Sequence, residues 1–148
     1  YPMLTNSDAT LTSPRQVTGM RWWLLLGDWL ILLLFVFIGQ RDHAMSGPGV
    51  LTSLVTTTLA VALPWTAAAY LLGALRFAPD MTWPVWFGRA LNAWLVAAPL
   101  GLLLRALLRG QGAIPVPFML VMLGLGGLFM LSWRALAFWL MNRRVTTA

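Results

Sequence analysis

Apolar residues along this chain gather into four long runs separated by short polar breaks. The first extends from Trp22 to Gly39 (WWLLLGDWLILLLFVFIG), the second from Val50 to about Leu75, the third from about Val85 to Leu104, and the fourth from about Ile114 to Met141. At about 1.5 Å per residue even the first run reaches across a hydrocarbon core of roughly 30 Å. The pattern predicts an all-α fold, an integral membrane four-helix bundle. Arginines precede the first run, as in a signal peptide, but the run is too long for a signal core.

The breaks carry the expected helix-ending chemistry. Gln40 to Gly49 is a polar turn with Arg41, Asp42 and His43. Arg76 to Pro84 holds Pro79, Asp80 and Pro84, and Arg105 to Ala113 (RALLRGQGA) is followed by Pro115 and Pro117. Asn142-Arg143-Arg144 closes the last run. Residues 1–20, rich in Thr, Ser and Pro, read as a flexible polar arm, residues 21–144 as the four-span domain, and 145–148 as a tail. Pro64 and Pro99 interrupt the second and third spans. Proline removes a backbone donor and kinks a helix, and Thr56, Thr57 and Thr58 lie close enough to serve carbonyls freed by Pro64.

Composition agrees with a lipid-facing surface. Apolar residues make up 59% of the chain and charged residues 9%, too few charges to cover a water-soluble domain of this size. All ten basic residues are arginine and all four acidic residues are aspartate. The net charge of +6 is spread singly or in pairs beside apolar segments, so no basic face exists for nucleic acid. Cysteine is absent, which excludes disulfides and thiolate chemistry.

Charge also sets orientation. Arg15, Arg21, Arg76, Arg89, Arg143 and Arg144 belong to one side, and Arg41, Arg105 and Arg109 to the other. The positive-inside rule then places both termini in the cytoplasm. Trp22, Trp23, Trp83, Trp86 and Trp139 fall at that same boundary, as an aromatic belt does. The expected location is the bacterial cytoplasmic (inner) membrane.

Two ionisable residues lie within spans, where each is costly unless paired. Asp28 is about 9 Å in from the cytoplasmic edge and Arg134 lies at nearly the same depth. An intramembrane ion pair between the first and fourth helices follows, with a proton relay or snorkelling of Arg134 as alternatives. A second group gathers on the opposite side: Arg41 and His43 from the first loop, Arg105 and Arg109 from the third. Arg105 and Arg109 share a face if their helix continues that far. These residues are candidates to contact a lipid phosphate, a carboxylate or a partner protein, against the plainer reading that they snorkel to headgroups. His43, the one histidine, sits in a turn and is better placed for a loop hydrogen bond than for a tetrapyrrole. No protein-only metal site is expected from these residue types.

No catalytic grouping is visible: no close acidic pair and no serine in a nucleophile elbow. Gly124-Leu125-Gly126-Gly127 lies within the fourth span and reads as a packing feature. Ala93, Ala97 and Gly101 form a stripe of small residues on the third helix, and Ala69 and Gly73 repeat that spacing on the second, as helix-contact positions do in membranes.

Several short motifs together resemble a known family. They are Leu26-Gly27-Asp28, Ile38-Gly39-Gln40-Arg41-Asp42-His43, Leu63-Pro64-Trp65, Leu103-Leu104-Arg105 with Gly110-Gln111-Gly112, and Ser132-Trp133-Arg134-Ala135. Across roughly residues 22–140 the chain resembles the bacterial membrane proteins called domain of unknown function 3054, although Gln40 and Asp42 depart from the basic and small residues expected there. The resemblance implies a four-span fold, supplies no mechanism, and places Asp28, Arg41, His43, Arg105 and Arg134 among motif positions. The expected role is a non-enzymatic accessory or assembly subunit of a larger bacterial membrane complex, photosynthetic or respiratory complexes being candidate hosts. Membrane lipids and other membrane subunits are the expected partners. The alternative is a small oligomeric transporter, or a protein binding lipid, carotenoid, chlorophyll or quinone between its helices.

Overall fold

A computed structural model describes residues 19–42, 49–78 and 80–146. A two-residue strand, β1 (Gly19–Met20), leads into helix α1 (Trp22–Asp42), which is followed by α2 (Val50–Leu71), the strand β2 (Arg76–Phe77) and α3 (Trp83–Leu108). The fourth span is composite: α4 (Val116–Val121), a π-helical segment (Met122–Gly126) and α5 (Gly127–Thr146). Four helices are long and apolar enough to cross a membrane. The chain is an all-α four-helix bundle and a multi-pass membrane protein.

Each helix is longer or shorter than its apolar run for a local reason. α3 continues past Leu104 to Leu108, so Arg105 lies inside the helix and not in a loop. α3 begins on Thr82 with proline in its first turn, where a missing N–H costs nothing. α2 stops at Leu71, because Gly73 adopts a left-handed conformation with φ of 69°. The Ala74 amide donates to Ala69 O and the Gly73 amide to Tyr70 O, the paired bonds of a Schellman end. Gly73 therefore terminates α2 and is not a helix-packing position. Gly110 (φ 60°) ends α3 in the same way, with Gln111 N donating to Ala106 O and Gly110 N to Leu107 O.

The arm assigned to residues 1–20 is tied down at its last two residues. Gly19 pairs with Phe77 and Met20 with Arg76, antiparallel. This clip joins the entry of α1 to the turn between α2 and α3.

The helices form a closed ring in which α1 packs on α2 and α5, and α3 packs on α2 and α5. The α2–α3 contact is the most extensive, and small residues explain it. Ala69, Ala93 and Ala97 are fully buried. A Cβ on Gly101 would lie 3.1 Å from Val61 Cα and 3.2 Å from Ala60 O, so any larger residue would push the two backbones apart by a few tenths of an ångström. Ala60 O is the carbonyl that Pro64 deprives of its helical donor. It faces Gly101, and α2 runs through Pro64 as one helix. None of the neighbouring threonines serves it: Thr56 Oγ1 donates to Thr52 O at 2.6 Å, Thr57 accepts from Arg109, and the buried Thr58 hydroxyl has no partner among the described residues.

The core is built around aromatic rings. Trp65, Trp86 and Trp94 are fully buried with Leu24, Leu32, Met122 and Met130, while leucines such as Leu51, Leu71, Leu107 and Leu120 point outward. Burying small residues and tryptophan while exposing leucine suits a bundle whose solvent is lipid. Trp22, Trp23, Trp83 and Trp139 are exposed at one end of the bundle, consistent with an interfacial belt. Trp86 is not part of that belt, being buried in the core.

Candidate functional site

The interior ion pair forms where all four helices meet. Asp28 and Arg134 are both completely buried. Arg134 Nε donates to Asp28 Oδ1 at 3.0 Å and Nη2 to Oδ2 at 2.5 Å, the two-pronged geometry that guanidinium and carboxylate favour. Trp65 Nε1 from α2 donates to Asp28 Oδ2 at 2.9 Å. The remaining guanidinium nitrogen, Nη1, donates to Ala74 O at 2.5 Å. From α3, Trp86 Nε1 donates to Arg134 O at 3.0 Å. The Trp65 and Trp86 rings lie 5.4 and 5.6 Å from the guanidinium carbon, close enough for cation–π attraction.

Local structure puts each partner in place. Gly27 lets α5 approach α1, since a Cβ there would overlap the Trp133 ring. The left-handed turn at Gly73 carries the Ala74 carbonyl to the guanidinium. Every nitrogen of the Arg134 guanidinium and both oxygens of Asp28 are engaged within the protein. Such a site ties the four helices together. Gly73→Ala should cost about 1–2 kcal/mol, the penalty for a left-handed alanine. Gly88→Ala, where a Cβ would meet nothing, is the control and should be neutral or slightly stabilising. Denaturation of both variants in one detergent checks this, and equal stabilities would contradict it.

A second polar group lies at the other end of the bundle. Arg109, at the end of α3, donates through Nη2 to Ser53 Oγ and to Thr57 Oγ1 at 3.3 Å. Gln40 Nε2 from α1 reaches the same Ser53 Oγ at 3.2 Å. Arg105, one turn before Arg109, lies over the Phe118 ring with 4.1 Å between guanidinium carbon and ring centre. Its Nε is buried and has no hydrogen-bond partner, and the same is true of Gln40 Oε1.

The structure thus brings Arg105 and Arg109 together on one helix. Arg41 stays apart: it is exposed, with its guanidinium 5.9 Å from the ring of Phe37 on its own helix. His43 lies outside the described residues. Sequence reasoning missed Ser53 and Phe118 and read Thr57 only as a partner for carbonyls freed by Pro64. Ser53 and Thr57 are four apart on α2 and share a face, a signal available from spacing alone. Among the described residues no group of three or more His, Cys, Asp or Glu is placed to hold a metal.

The sequence profile of a family described as protein of unknown function (DUF3054) matches residues 25–137. The chain belongs to the DUF3054 family. The DUF3054 match takes in Asp28 and Arg134 together with Arg105 and Arg109, so both polar groups lie within the family region. Comparison with curated proteins and with solved structures gave no match.

Proposed function

We propose that this protein is a non-enzymatic accessory or assembly subunit of a larger membrane complex. The observation that supports this best is α4. None of its residues is buried, and Val116, Leu120 and Val121 are all at least half exposed. The first six residues of the fourth span, Val116–Val121, therefore pack little against their own bundle and are available to another transmembrane helix. The filled interior favours the same reading: Trp65, Trp94, Leu32 and Met130 occupy the centre, where a single-bundle carrier needs a path. The arginine distribution and the belt of Trp22, Trp23, Trp83 and Trp139 support a bacterial inner membrane with both termini cytoplasmic.

The test is gentle detergent extraction from native membranes followed by native electrophoresis. The expected result is co-migration with a larger assembly, lost when Leu120 and Val121 are replaced by tryptophan although the chain remains folded. Recovery of the wild-type chain only as a lone monomer would overturn the proposal.

A further inference from the structure

The guanidinium groups of Arg105 and Arg109 have unmet hydrogen-bonding capacity, and their arrangement suits one class of ligand. Each guanidinium carries five N–H donors. Arg109 directs Nη2 to Ser53 and Thr57, which fixes the plane of the group. Arg105 is held over Phe118, with its buried Nε unpartnered. Like charges one helical turn apart repel, and no described carboxylate bonds to either. An anion between them relieves that repulsion and accepts the unused donors.

We propose that Arg105 and Arg109, with Ser53 and Thr57 orienting Arg109, form a binding site for the phosphate group of an anionic phospholipid. Phosphate matches the planar fork of arginine, which bonds it in a two-pronged manner. The site lies in the last turn of a spanning helix, at headgroup depth. Leu108, three residues from Arg105 and next to Arg109, is 57% exposed and supplies an apolar surface for acyl chains. A lipid satisfies both features at once, whereas a free phosphate ion uses only the first.

Snorkelling arginines bind headgroups without geometric preference. A built site discriminates. The experiment uses the full chain in dodecylmaltoside, with retention of phosphatidylglycerol or phosphatidylcholine read by native mass spectrometry, and with inorganic phosphate as a separate competitor. About one phosphatidylglycerol should be retained per chain, in clear preference to phosphatidylcholine. Arg105→Gln should weaken that retention roughly tenfold or more. Because Arg105 makes no hydrogen bond among the described residues and loses only its contact with Phe118, this variant should stay folded with at most a slightly lowered melting temperature. Arg105→Lys, which keeps the charge and loses the fork, should restore only part of the affinity.

Three outcomes overturn the proposal. Equal retention by wild type and folded Arg105→Gln shows that the arginines do not select the lipid. Displacement by millimolar inorganic phosphate with no lipid preference identifies a free anion as the ligand. Binding that emerges only in Asp42→Asn shows that a carboxylate of the chain itself occupies the site.

Discussion

Replacing Arg134 with leucine is expected to lower the stability of the bundle by about 3–5 kcal/mol, the usual cost of leaving a buried ion without its partner. Asp28→Asn should fall in the same range, since it leaves the Arg134 charge completely buried and unbalanced. The double variant Asp28→Leu/Arg134→Leu should be less damaged than Arg134→Leu alone, because it leaves no charge in hydrocarbon. It should still not regain full stability. Trp65 Nε1 and Ala74 O lose their partners, and each orphaned group costs about 1–3 kcal/mol. Helix separation within a bilayer leaves both charges in lipid, so the pair favours the assembled bundle more than a surface pair would in water. Unfolding of the four forms in mixed micelles, analysed as a double-mutant cycle, gives the coupling energy. A coupling near zero would refute the proposed role of the pair as the tie between α1 and α5.

Trp94→Ala should be almost as destructive, at about 3–5 kcal/mol, because it empties a fully buried tryptophan site. The indole fills the junction where the fourth span passes from the π-helical segment into α5. Its Nε1 donates to Leu123 O at 3.0 Å, a carbonyl within that segment. Gly126 and Gly127 form the floor beneath the ring, where a Cβ on Gly127 would lie 2.6 Å from Trp94 Nε1. Trp94→Phe keeps most of the apolar volume but removes the donor, and should cost about 1–3 kcal/mol. Hydrogen exchange of the amides around Leu123 should rise in Trp94→Phe. Wild-type stability and exchange in that variant would show that the carbonyl does not depend on the indole.

The bundle and its central tie were legible in the sequence for one physical reason. Charge is so costly in hydrocarbon that pairing was the natural reading for Asp28 and Arg134, at nearly the same depth, and it made their helices neighbours. The tryptophans around them were not legible in the same way. Trp86 lies near a span end, where tryptophan is equally at home in the interface, and only the packing of α3 shows that it turns inward to Arg134 O. Gly73 matched the spacing of a packing stripe with Ala69, yet four-residue spacing also arises when a glycine follows the last turn of a helix. The π-helical segment is a register change of one residue, too local to appear in an apolar run. At the far end, the pairing of Arg105 with Arg109 depended on how far α3 continues, which hydropathy leaves open by several residues. Arg41 was grouped with them by loop position. Its guanidinium instead reaches back to Phe37, four residues earlier on α1.

The ion pair also sets a timetable for biogenesis. Asp28 and Arg134 are separated by 106 residues, which at ribosomal rates of about 5–20 residues per second is a wait of roughly 5–20 seconds. During that interval α1 must remain in or near the bilayer with its acid uncompensated. Trp65 emerges first, 37 residues after Asp28, and offers a neutral donor while synthesis continues. The fourth span is the one that completes the first.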